Sequence, residues 1–183
     1  MAEAVEQAVQ NAFNKVAEAF ATVSQTLINF LTEQGDVFNV SHIQTGISDE
    51  ETAEWVIEVG ENDSAQIRLS VVGQGKTTVE LYENGDYSGG GSNVLVENLK
   101  RSSSKTPSSS WSDSPTVNSD GTKIAEDVSG TDGLPSGNGR VSGVSKETKF
   151  ILEAGQSYLI RATNQSSSSS DLGLSAEFYE EAP

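Results

Sequence analysis

The sequence predicts a mainly β protein, an antiparallel β-sandwich of jelly-roll-like type that follows a long N-terminal α-helix. Apolar residues repeat every 3.5 positions in the first 35 residues and every second position after them. Clusters of Gly, Asn, Asp and Ser separate the later segments, as turns do between strands. We therefore divide the chain into a helix at 1–35 and a β-domain at 36–183.

The helix is predicted from 4 to 33, a stretch that contains no Gly or Pro and that ends at Gly35 and Asp36. Its apolar residues alternate at spacings of four and three, which places them along one narrow seam. The seam consists of Val9, Phe13, Val16, Phe20, Val23, Leu27 and Phe30.

Two interpretations of this seam follow. The helix could lie on its own β-domain, for which an apolar stripe is sufficient, or it could associate with other copies of the chain. We favour self-association because a strict seam of this kind is narrower than the apolar face of most globular helices. Large aromatic core residues favour three chains over two.

Eight runs rich in β-branched and aromatic residues are predicted to be strands of a half-buried antiparallel sheet. They lie at 37–43, 54–59, 65–72, 77–82, 93–99, 149–152, 157–163 and 172–179. Eight or so short strands without helices between them are typical of a sandwich or a jelly roll.

The region 102–145 is rich in Ser, Gly, Asp and Asn, and Trp111 is its only large apolar side chain. We interpret it as a long surface excursion, with a hairpin turn at 118–121. An exposed Trp111 in such a loop would suit stacking on a sugar, which makes it a candidate surface-binding residue.

Charge and composition exclude several classes of function. The chain of 183 residues has 27 acidic and 11 basic side chains, and its formal charge of −16 repels nucleic acid. It contains no Cys, so disulfides and thiolate metal sites are impossible. No signal peptide or membrane span is recognisable, so we expect a soluble protein made in the cytoplasm that binds no membrane.

No catalytic, cofactor or metal site is predicted. His42 is the single histidine and lies inside the first predicted strand, without a second metal ligand or a nucleophile motif around it. Gly75, Lys76 and Thr77 resemble the end of a phosphate loop, but they join two strands and are interpreted as a hairpin turn. The acidic turns at 83–86, 118–120 and 127–132 lack the spacing of a calcium loop.

Several short blocks in the segment 65–180 resemble the head decoration or head fibre proteins of tailed phages. The blocks are TVELYE at 78–83, NLKRSS at 98–103, PTVNSDGT at 115–122, FIL at 150–152, YLIRATN at 158–164 and FYE at 178–180. The N-terminal helix goes beyond the shared pattern.

This resemblance implies a structural virion protein, not an enzyme, that forms trimers and binds the major capsid protein on the outside of the head. An alternative is a receptor- or glycan-binding module of a phage fibre, with Trp111 in its binding loop. A polysaccharide-degrading enzyme is a third hypothesis, but no pair of carboxylates stands out among the many acids.

Overall fold

The computed structural model describes residues 15, 27–88, 91–129 and 142–181. It contains one short helix, α1, at 27–34, and twelve strands. Lys15 is also helical, but the other residues of the predicted helix before 27 lie outside the described part.

Ten strands form two five-stranded antiparallel sheets. Sheet A has the order β10-β3-β12-β1-β6, and sheet B has the order β7-β2-β11-β4-β9. The strands of sheet A are β1 (Val37–Ile47), β3 (Ser64–Gly73), β6 (Val96–Asn98), β10 (Ser142–Leu152) and β12 (Ser170–Glu181). Those of sheet B are β2 (Thr52–Glu58), β4 (Thr77–Glu83), β7 (Ser110–Asp113), β9 (Thr122–Ser129) and β11 (Ser157–Asn164).

The connections between the main strands cross from one sheet to the other. The chain alternates between sheets through β1, β2, β3 and β4, and again through β9, β10, β11 and β12. This alternation gives the two sheets the connectivity of a jelly roll. The turn at Gly75, Lys76 and Thr77 joins β3 to β4 across the two sheets, so its interpretation as a hairpin turn was wrong.

The core lies between the sheets, and the alternation seen in the sequence decides which residues enter it. Trp55 and Ile57 of β2 and Tyr158 and Ile160 of β11 point inward from sheet B. From sheet A the inward residues include Leu172, Leu174, Ala176 and Phe178, the regular series of β12. Burial of these side chains, at about 1.5–3 kcal/mol for each large one, is the main stabilisation of the sandwich.

The predicted excursion at 102–145 is only partly a loop. Strands β7 and β9 within it complete the two edges of sheet B, and β10 begins within it as an edge of sheet A. The predicted hairpin at 118–121 was also wrong. The strand before this turn, β8 (Thr116–Ser119), pairs with β5 (Asp86–Ser88), whereas β9 pairs with β4.

Candidate functional site

The C-terminal end of α1 is fixed to sheet A. Gly35 adopts a φ of +76° and ends the helix, as the sequence predicts. Lys100 donates from Nζ to the Glu33 carbonyl oxygen at 2.7 Å, and Asn98 donates from Nδ2 to the Gly35 carbonyl oxygen at 2.8 Å. These bonds satisfy carbonyl groups at the helix terminus and define how α1 leaves the sandwich.

The two sides of α1 have different surroundings. Ile28 lies in a narrow crevice beside Arg68, Glu177 and Tyr179 on the outer face of sheet A, and Leu31 is half-buried. Leu27 and Phe30, the two seam residues in the described part, are 46% and 55% exposed. In the described part of the helix, the chain's own β-domain therefore covers a face other than the seam. The other five seam residues, Val9, Phe13, Val16, Phe20 and Val23, lie outside the described residues.

Arg161 is the centre of a charged cluster on the outer face of sheet B. It donates from Nη1 and Nη2 to both carboxylate oxygens of Asp120 at 2.8 and 2.7 Å, and from Nε to Glu54 Oε1 at 2.6 Å. Its guanidinium carbon also lies 5.3 Å from the centre of the Tyr82 ring. The side chain is 18% exposed, so its donors are held by protein groups.

The cluster attaches the segment between β4 and β9 to sheet B. Tyr87 on β5 donates from its hydroxyl to the Asp120 carbonyl oxygen at 2.9 Å, and burial raises the pKa of Tyr87 to about 12. The hydrogen bonds from Arg161 lower the pKa of Asp120, and the same contact raises the pKa of Arg161. This arrangement is a charged structural clamp, because every group in it has a protein partner.

Sequence analysis did not identify this cluster. One signal was available, since Arg161 is the only charged residue in the apolar run YLIRATN and therefore needs an acidic partner. The identity of that partner could not be deduced, because Asp120 is 41 residues away in the sequence.

Trp111 does not lie in an exposed binding loop, so this prediction was wrong. It is 2% exposed, it pairs with Ile57 on β2, and its ring centre lies 5.9 Å from that of Phe178 in the core. The reason is that burial of the single large apolar side chain of a polar segment stabilises the fold most when that side chain enters the core as part of a strand. Its Nε1 is buried and has no hydrogen-bond partner among the described residues.

Both ring nitrogens of His42 face protein groups. Trp55 donates from Nε1 to His42 Nδ1 at 3.1 Å, and His42 Nε2 lies 3.4 Å from Asp113 Oδ2. Because an indole N–H can only donate, Nδ1 accepts and Nε2 carries the proton. The histidine thus links β1 of sheet A to β2 and β7 of sheet B.

Two further observations concern metal ions and membrane spans. Within the described residues, no group of three or more His, Asp or Glu side chains is arranged to hold a metal ion. The helical part that the structure describes includes no segment long and apolar enough to cross a membrane.

Comparisons with known proteins give no identity. No family model and no curated protein match the chain. Among solved structures, the mitogen of Yersinia pseudotuberculosis is 15% identical, with a TM-score of 0.33 over 75% of this chain and 83% of that one. The delta-endotoxin Cry8Ea1 of Bacillus thuringiensis is 9% identical, with a TM-score of 0.31 over 65% of this chain. This chain spans only 16% of that toxin.

A chain of Broad bean stain virus is also similar, at 6% identity and a TM-score of 0.28 over 79% of this chain and 88% of that one. The neighbours thus include a mitogen, an insecticidal endotoxin and a virus chain. Superpositions this loose carry no functional argument, and the resemblance to phage decoration proteins stays a prediction.

Proposed function

We propose that the chain is a structural virion protein that decorates the outer surface of a tailed-phage head as a homotrimer joined through its N-terminal helices. The observation that carries the self-association in this proposal is the exposure of Leu27 and Phe30 on α1. Large apolar side chains at these seam positions stay in water unless another molecule covers them.

The sandwich supports a role in presentation rather than in chemistry. His42 is occupied at both ring nitrogens, and the acids and the guanidinium around Arg161 hold one another. The assignment to a phage head comes from the sequence blocks at 65–180 that resemble decoration proteins, and the partner on that head would be the major capsid protein.

The second candidate, a glycan-binding fibre module, loses its main support. It depended on Trp111 as an exposed stacking residue, and Trp111 is buried between the sheets.

Self-association can be tested by replacing both Leu27 and Phe30 with Glu. We expect the wild-type chain to sediment as a trimer at micromolar concentration and the double variant to sediment as a folded monomer. The matched control replaces Leu95 and Val128 with Glu, since these residues are 71% and 51% exposed and lie outside α1 and outside the strands of sheet A. A monomeric wild type, or equal loss of association in the control, would refute the role of the seam.

Capsid binding needs a separate experiment. Purified chain is mixed with decoration-free capsids of a phage that encodes it, and binding is measured by co-sedimentation. We expect saturable binding that survives Trp111→Phe. Absence of binding to intact capsids would refute decoration.

A further inference from the structure

Two basic side chains on sheet A stand out because most others in the described part have a partner. Arg68 and Lys149 are exposed and make no ion pair or hydrogen bond with any described residue. The basic residues with partners include Lys100, Arg101, Lys105, Lys123 and Arg161. Cations without partners are unexpected in a chain that has 27 acidic residues.

The register places these two cations side by side. Lys149 on β10 is directly opposite Arg68 on β3, and Glu177 on β12 is opposite Arg68 on its other side. Like charges directly opposite each other destabilise a sheet. These three side chains, two cations and one carboxylate, have a summed formal charge of +1.

The row lies next to α1. Ile28 of α1 shares its crevice with Arg68, Lys149 and Glu177, so the helix crosses the sheet at this position. Ile151, two residues after Lys149 on the same face of β10, is 67% exposed. Leu27 and Phe30 of α1 and the two cations therefore belong to the same side of the molecule.

Charge limits where two copies can meet. Each copy has a formal charge of −16, so approach through most faces is repulsive. A face with uncompensated cations can attract the carboxylates of its neighbour, and it leaves fewer like charges in contact.

We infer that Arg68 and Lys149 form a docking surface for acidic side chains of a second copy of this chain. The inference rests on the proposed self-association through α1 and extends the contact from the helix onto the sandwich.

The test removes the two charges and measures association. The variant Arg68→Gln with Lys149→Gln is compared with Arg101→Gln and Lys123→Gln, which removes the same charge from two exposed cations that already have partners. Sedimentation equilibrium gives the dissociation constant, and circular dichroism confirms that each variant is folded. We expect a loss of about tenfold or more in the first variant and no comparable loss in the control.

The outcomes separate this inference from the proposed function. A trimer that dissociates with Leu27→Glu and Phe30→Glu but is unaffected by Arg68→Gln and Lys149→Gln would overturn only the docking surface. Unchanged association with weaker binding to capsids would also overturn it, by assigning the surface to the capsid protein. A monomeric wild type would overturn both proposals.

Discussion

Arg161 shows how one side chain can join distant parts of this chain. It lies on β11, Glu54 lies on the neighbouring β2, and Asp120 lies in the turn before β9. Removing one member of such a partly buried cluster leaves a charge without its partner, which costs more than the loss of a surface ion pair.

The clamp gives a pH dependence with a defined sign. Hydrogen bonds from Arg161 lower the pKa of Asp120, so the unfolded chain binds more protons than the folded one in acid. The stabilisation is complete above the unfolded-state pKa, about 3.9, and is lost as pH falls through the folded-state value. We expect Asp120→Asn to be less stable than wild type at about pH 6, and the difference to shrink below about pH 4.

Urea unfolding midpoints over a pH series would measure this difference. Glu61→Gln on the surface is a suitable control, because Glu61 is exposed and is not one of the groups of the clamp. A gap between Asp120→Asn and wild type that stays constant down to about pH 3 would contradict the role given to Asp120.

Trp111 is expected to be a stability residue rather than a binding residue. Truncation to Ala opens a cavity between the sheets next to Phe178 and should cost about 3–5 kcal/mol. Trp111→Phe should cost much less, because it keeps most of the apolar contact and removes an unpaired buried N–H. Chemical denaturation of both variants checks this order, and equal stability of Trp111→Ala and wild type would show that the residue is not part of the core.

At the scale of elements, the segment between β4 and β9 covers the outer face of sheet B. Val56 and Leu159 pair with each other across β2 and β11 and point away from the inter-sheet core, yet they are almost completely buried. Val56 lies beside Tyr87 and Pro115, which belong to the covering segment. Glu180 on β12 holds another part of it by accepting hydrogen bonds from the backbone N–H groups of Ser108 and Ser109.

Hydrogen exchange should resolve these layers. Within sheet B, amides of the inner strands β2, β11 and β4 should exchange most slowly, because each of these strands pairs on both sides. Amides of β7 should exchange more slowly than those of 101–107, since β7 pairs with β2 and buries Trp111. Exchange in β7 as fast as in 101–107 would mean that this edge strand is open in solution.

For the whole molecule, the net negative charge lowers the stability of the fold. Carboxylates outnumber basic groups 27 to 11, and exposed ion pairs contribute little individually. Repulsion among the remaining acids therefore opposes compactness, and salt screens it. We expect the urea unfolding midpoint to rise between about 20 mM and about 500 mM NaCl at neutral pH.

The measurement needs a low protein concentration, so that association does not change the midpoint. A fall in stability with salt would mean that attractive ion pairs, such as those of Arg161 and Lys123, outweigh the repulsion.

The periodicity of apolar residues in the sequence was sufficient to predict much of the fold. The period of two in the sequence agrees with the alternating burial along β3 and β12, because neighbouring side chains of a strand point to opposite faces. The stop at Gly35 was also predictable, since a left-handed residue after a helix favours glycine. These features depend only on residues close together in the chain.

Pairing between distant segments was decided by the tertiary structure alone. The sequence could not show that β8 pairs with β5 instead of β9, or that Asp120 meets Arg161. Trp111 was assigned to the wrong side because its neighbours are polar on both sides, and only the pairing of β7 with β2 turns it into the core. A two-residue period in the sequence indicates that side chains alternate between the two faces of a strand. Which of the two faces is buried depends on the strand that pairs with it.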